Sequence, residues 1–431
     1  MTSTRQRRRI RLAAALAMVF CASAARASSL DSGDAGWVLT SAALVLLMTI
    51  PGLSLFYGGL VRSVNVLSVL MQCFAITCIV TVLWVVVGYS LAFGEGGPLI
   101  GDFSRVLFIG VDGDALIGTV PEPGFAIFQL TFAIITPALI VGGFAERMRF
   151  SAAVLFAALW SMLVYVPIAH WVWGGGWLDE LGLMDAAGGT VVHVAAGAAA
   201  LVAAVVIGPR HGFPDSIERP HNMTLTVAGA GLLWVGWFGF NGGSALAANG
   251  DAAMALTVTH IAAATAALSW MLLEWARYGK PSALGAVTGM VAGLGTITPA
   301  SAFVSPAAAL LIGAVAGTVC FLATNLMNLK LRIDDSLDVF PVHAVGGGLG
   351  TILTAVFAGS ALGILGGTED IRILGQLRVQ AIGVLAVAVY TTAVTYLILR
   401  LTNRLVGNRV SEDDEIQGLD LVSHDESGYA L

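Results

Sequence analysis

His193 stands in the stretch GGTVVHVAAG and His343 in DVFPVHAVGGGLG, each interrupting a run of otherwise apolar residues; His260 does the same in TVTHIAAATAAL. An ionisable side chain inside such a run is costly to bury, which makes each of the three a candidate for function. The plainer reading of a single one is a neutral ring hydrogen-bonded to a neighbouring helix, and for His260 that packing reading is favoured. A pair can do more, because neutral imidazole has one N–H donor and one acceptor. Two rings can share a hydrogen bond, receive a proton, or contact a small polar solute where water is excluded. They are poorly suited to hold a metal by themselves, since a closed zinc site needs four ligands and no cysteine or carboxylate cluster accompanies them. No cofactor is implied.

Aromatic side chains form the second candidate group. Phe132 in AIFQLTF, Trp173 in HWVWGGG and Phe240 in WFGFNGGS fall near the ends of apolar runs. Aromatic faces attract cations, and tryptophan does so best. An interfacial belt would place aromatic residues at helix ends equally well, so spacing leaves both readings open.

The elements that must position these residues follow from composition. The 431-residue chain is 57% hydrophobic and 11% charged, against about 25% charged for an ordinary soluble domain. Apolar stretches of about twenty residues recur along it, the length that about 30 Å of hydrocarbon requires of a helix. No alternating pattern points to a β-barrel. The chain therefore reads as an all-α membrane protein. Eleven spans are predicted near residues 36–59, 66–93, 122–145, 151–171, 187–208, 223–241, 252–274, 283–297, 303–326, 339–359 and 376–405.

Loop charges give the direction. One set of loops and span ends carries twelve basic residues, among them Arg62, Arg147, Arg149, Arg210, Arg219 and Arg409; the other carries only Arg105, Arg372 and Arg378. The richer set is expected in the cytoplasm, with the N-terminus outside and the C-terminus inside. Five crossings per repeat would invert spans 6–10 relative to spans 1–5, leaving a long eleventh helix outside the symmetry. His193 in span 5 and His343 in span 10 would then be equivalent. The short, Gly-rich span 8 and the loose GFNGGSALAANG after span 6 are segments of the kind that border a pathway. The 52 glycines let helices approach closely where lipid offers no hydrophobic drive.

Residues 1–27 read as a secretory signal peptide: five arginines, an apolar core, then Ala25-Arg26-Ala27 as a small-x-small cleavage site. Six of the 21 basic residues lie in that leader, which leaves 15 against 27 acidic ones. Nothing basic enough for nucleic acid remains. Cys73, Cys78 and Cys320 all fall in apolar runs, an odd set expected to be buried and unsuited to a disulfide framework.

The motifs TIPGLSLFYGGLVRSVNVLS, FAERMRFSA, PIAHWVWGGGWL, GGTVVH, WVGWFGFNGGSA, DDSLDVFPVHAVGG and RVSEDDEIQGLDLVSHDESGY occur in that order from about Gly36 to Tyr429. Together they resemble the ammonium transporter family, in its bacterial branch. The resemblance implies homotrimers of eleven-helix protomers in the bacterial inner membrane, each with its own hydrophobic pore for ammonium or ammonia, and with methylammonium as an analogue. It implies that Trp173, Phe132 and Ser244 form an outer ammonium site, closed below by the stacked pair Phe132 and Phe240. His193 and His343 would line the dry lumen as a proton relay, with Trp237 beside them. Asp185, ahead of GGTVVH, suits a structural, helix-capping role. Ala344 departs from the family, where glycine commonly follows the second histidine. The related Rhesus-type branch lacks the outer aromatic cage, and the presence of Trp173 and Phe132 favours the ammonium branch.

The domain plan is then a leader at 1–27, a membrane domain at 28–409 and a cytoplasmic regulatory tail at 410–431. Composition alone predicts a disordered tail, acidic and poor in large apolar groups. The resemblance implies instead that Gly418, Leu419 and Asp420 dock on cytoplasmic loops and that a trimeric PII-type signalling protein binds that side. Pairing of Arg147, Arg149, Arg210 and Arg219 with Asp413, Asp414 and Glu415 would be the electrostatic route to docking. The expected function is ammonium transport; the alternative is an ammonium sensor, which an appended signalling domain would favour. An enzyme is disfavoured because no nucleophile, metal set or acid–base carboxylate accompanies the histidines.

Overall fold

An apolar chain in lipid must satisfy its backbone polar groups internally, and helices do so within each segment. The computed structural model describes residues 29–216, 219–359, 362–363 and 372–429. The leader predicted at 1–27 lies outside them. Among the described residues, eleven helices are long and apolar enough to cross a membrane. They are α1 (Ser32–Leu60), α2 (Ser63–Phe93), α3 (Glu122–Phe144), α4 (Phe150–Glu180), α5 (Gly189–Ile207) and α6 (Met223–Gly242). The second group is α7 (Gly250–Tyr278), α8 (Ala283–Ala300), α9 (Pro306–Leu331), α10 (Phe340–Ala358) and α11 (Ile373–Leu405). Several run past the ends read from the sequence: α4 continues to Glu180 after a turn at residues 174–176, and α7 to Tyr278. Hydropathy stops where polar side chains begin, but backbone hydrogen bonding does not.

The two halves start at opposite faces of the bundle. Asp34 in the first turn of α1 accepts from Thr119 Oγ1 (2.6 Å) and from the backbone of Ala248, on the face that also carries Trp173. At the start of α6, Asn222 N donates to Gly59 O at the far end of α1 (3.1 Å). Five helices per half therefore give inverted repeats, and the 33-residue α11 stands outside them. Within the bundle α3 is the most enclosed helix, while α2, α7 and α11 present exposed apolar side chains such as Val82, Leu272 and Val389. Cys73 and Cys320 are buried, but Cys78 is exposed, which corrects the expectation that all three are buried.

The tail is ordered, against the compositional expectation. Short helices α12 (Glu412–Gln417) and α13 (Leu419–His424) lie on the face opposite Trp173. The Asp420 carboxylate accepts from Leu67 N (3.0 Å) and Ser68 N (2.7 Å), capping the start of α2, and Leu419 N donates to Asn65 Oδ1 (2.7 Å). Gly418 has φ +104°, and a Cβ there would stand 2.5 Å from Val64 Cβ; the close approach requires glycine. None of the predicted charge pairs forms among the described residues. Glu415 is held by Arg409 Nη2 (2.8 Å) and by the backbone of His211 (2.7 Å), while Asp414 forms a capping box with Ser411. Arg210 turns instead to Asp334 and Glu146, at 2.7 Å each, and the fully buried Arg147 donates to the carbonyls of Gly208, Gly143 and Asp334. Buried carbonyls and carboxylates compete for Arg147 and Arg210 more strongly than the exposed Asp413 can, and the buried Glu415 is met by Arg409 instead.

Candidate functional site

The sequence-predicted residues fall along one line through the bundle. On the Trp173 face a cavity of about 260 Å³ is lined by Trp173, Phe132, Ser244, Phe125, Gln129 and Asp179. The Trp173 and Phe132 rings meet edge to face, with centroids 5.8 Å apart and planes at 86°. Both rings line this one small volume, and an aromatic face turned to a cation contributes about 0.5–2 kcal/mol. Ser244 donates to Phe240 O (2.8 Å), and its oxygen retains lone pairs for a donor in the cavity.

Below this cavity Phe132 and Phe240 are in close contact, with centroids 4.2 Å apart and planes tilted by 32°. They shut it off from a second space of about 10 Å³ lined by Phe240, Trp237, His193, His343 and Tyr57. That volume is at the threshold for a single water. Within it His193 stacks on Trp237 (5.4 Å) and on His343 (5.2 Å), both at 24°. The two histidine Nδ1 atoms are 3.2 Å apart, so one donates and the other accepts. Among the described residues, His193 Nε2 has no hydrogen-bond partner. Trp237 is oriented by its indole N–H, which donates to Thr298 Oγ1 (2.9 Å). A third cavity of about 130 Å³ opens toward the tail face, lined by His343, Tyr57, Phe56, Ser336 and Asp338.

Local sequence explains why the histidines meet. Both lie on π-helical turns, Gly189–Val194 in α5 and Phe340–Val345 in α10, a local widening that recurs at functional sites. The two helices touch where side chains are smallest. A Cβ on Gly347 would stand 2.6 Å from His193 Cβ, and one on Gly197 would stand 2.6 Å from Ala344 Cβ. The Ala344 methyl is thus accommodated because its neighbour on α5 is a glycine.

Each of the two helices is preceded by a buried aspartate, eight residues ahead of its histidine. Asp185 accepts from Gly188 N (2.8 Å), Gly189 N (2.6 Å), Thr190 N (2.7 Å) and the Thr190 hydroxyl. Its own carbonyl takes the Trp173 indole N–H (3.0 Å), so one residue anchors both the outer aromatic wall and the helix of His193. Asp335 accepts from Phe340 N (2.6 Å) through Oδ2, whereas its Oδ1 has no hydrogen-bond partner among the described residues. Burial pushes the Asp335 carboxyl up to about 7 and that of Asp338 to about 6. His260 is exposed on α7 against Trp234 (5.2 Å) and Phe238 (6.1 Å), and lines none of the three cavities.

Sequence reasoning missed Asp335, Thr298, Gln129 and Asp179. The shared eight-residue spacing could have found Asp335. Thr298 acts across helices on Trp237, and no pattern within one segment signals that.

A profile of the Ammonium Transporter Family matches residues 36–429. An ammonium transporter of Aquifex aeolicus is 46% identical over 410 residues, covering 94% of this chain and 95% of its own. One from Bacillus subtilis is 44% identical over 405 residues, covering 93% and 99%. Among solved structures, one described as a sensor Amt protein superposes with a TM-score of 0.84 at 32% identity, covering 91% of this chain and 98% of its own.

Proposed function

The chain belongs to the ammonium transporter family, a family of transporters rather than enzymes, and on that premise we propose how its pore works. Ammonium is selected in the cavity of Trp173, Phe132 and Ser244 by cation–π contact and a hydrogen bond to the serine oxygen. A bare ammonium ion would lose several kcal/mol or more on entering the dry lumen. It therefore gives up its proton at or above the Phe132–Phe240 gate. Ammonia passes beside Trp237, and the proton moves along His193 and His343 or is left outside. Asp185 serves by position, holding Trp173 and the helix of His193 together.

The observation that carries this reading is the 3.2 Å contact between the histidines in a lumen too narrow for a hydrated ion. The Trp173 face is assigned to the outside and the tail to the cytoplasm by the twelve-to-three bias of basic residues. The proposed setting is a homotrimer in the bacterial inner membrane, with the ordered tail available to a PII-type signalling protein.

Uptake of radiolabelled methylammonium by proteoliposomes tests the transport reading. Wild type should accumulate label faster than empty vesicles, and unlabelled ammonium should compete. No uptake by correctly folded protein would favour the alternative, a sensor that couples occupancy to its partner.

A further inference from the structure

The loop between α2 and α3 displays Leu99, Ile100, Phe103, Leu107 and Ile109, each 40% to 71% exposed. Exposed apolar clusters of this size mark interaction sites. The loop does not stand away from the bundle. Gly101 N donates to Leu91 O (2.8 Å), Ser90 Oγ donates to Asp102 O (2.9 Å), and Arg105 N donates to Ser90 Oγ (2.8 Å). It is thus folded back along the last turns of α2.

Its depth follows from Glu122, the first residue of α3. Arg105 Nε lies 3.3 Å from the Glu122 carboxylate, and Tyr89 donates to the same group (2.9 Å). The 23 residues of α3 rise about 34 Å at 1.5 Å each, slightly more than the roughly 30 Å of hydrocarbon. Glu122 and the loop paired with it therefore sit at the hydrocarbon edge. Carbonyls of the preceding segment face inward: Leu99 O takes the Trp171 indole N–H (2.8 Å), and Pro98 O takes Trp177 N (3.0 Å). Leu107 and Phe108 have φ of +55° and +58°, a region uncommon outside glycine. That bend seats Phe108 on Tyr89 (5.3 Å) while Leu107 and Ile109 stay exposed. One and two turns before Ser90, the exposed Val86 and Val82 continue the apolar surface down α2.

We infer that residues 99–109 are a membrane anchor, with their apolar side chains seated in the acyl edge of the leaflet on the Trp173 face. Lipid is the occupant because the patch lies at hydrocarbon depth and is continuous with the outward face of a spanning helix. The anchor also braces α4, since Trp171, two residues before Trp173, is held by Leu99 O.

Spin labels test this in the full-length protein in phosphatidylcholine–phosphatidylglycerol vesicles, with Cys21, Cys73, Cys78 and Cys320 replaced by alanine. Labels at Phe103→Cys and Leu107→Cys should collide with oxygen more than with aqueous nickel chelate. The exposed Asp114→Cys should show the reverse, with nickel collisions several-fold higher. Leu99→Cys and Ile109→Cys report the same depth if the first pair does not fold. Nickel access at 103 and 107 equal to that at 114 would overturn the anchor in favour of a water-facing loop. Shielding from both reagents would overturn it in favour of a covering protein, such as a second copy.

Discussion

The two histidine-bearing helices solve one problem in two ways. On α5 the capping carboxylate of Asp185 receives four hydrogen bonds; on α10 the equivalent Asp335 leaves one oxygen without a partner among the described residues. The first arrangement fixes a helix start beside an aromatic cavity. The second leaves a buried acid that titrates near neutrality at the tail-face end of the pore. Equivalent positions in inverted repeats thus share geometry without sharing electrostatics, because each helix start meets a different vestibule.

The largest expected effect tests whether the halves act as one unit. His193→Ala and His343→Ala should each abolish proton-linked methylammonium uptake while the protein still assembles, since one ring has no partner for the shared hydrogen bond. Full activity in either variant would make the halves independent. Next, Asp185→Ala should destabilise far more than Asp335→Ala. It strands four buried donors at about 1–3 kcal/mol each, a large share of a net stability of about 5–15 kcal/mol. Melting in detergent measures this, and equal losses would dissolve the contrast.

Trp173→Leu should weaken apparent ammonium affinity by about 2- to 30-fold, the equivalent of 0.5–2 kcal/mol of cation–π attraction. Unchanged selectivity in liposomes would leave Trp173 as a belt residue only.

A smaller, pH-dependent effect isolates Asp335. Its carboxyl titrates near 7 in the folded protein and near 3.9 in an unfolded chain, so the native state binds the extra proton. Stability from this group is fully present below about pH 4 and is lost as pH rises to about 7. Asp335→Asn should therefore match wild type near pH 4 and melt a few degrees higher above pH 7. A pH-independent difference would show that Asp335 does not titrate. The mildest change, truncation at Val410, should lower transport without unfolding the membrane helices; unchanged transport would make the docked tail a passenger.

Sequence alone determined the solvent, the eleven crossings, their inverted halves and the aromatic and histidine candidates. Those properties follow from hydropathy and helical length, which are local. The motif resemblance placed Gly418, Leu419 and Asp420 against cytoplasmic loops, and they lie against residues 64–68. Composition misread the tail as disordered, and the expected charge pairs were wrong, because an acidic segment does not reveal which partners its acceptors meet. Asp420 is ordered by two backbone donors at the start of α2, 353 and 352 residues away in the chain. The motif resemblance implied that His193 pairs with His343 and Phe132 with Phe240, but only the tertiary structure decided their geometry and that Thr298 orients Trp237. Each of these is a contact between helices far apart in sequence, set by where glycines let backbones approach, and no single segment carries that information.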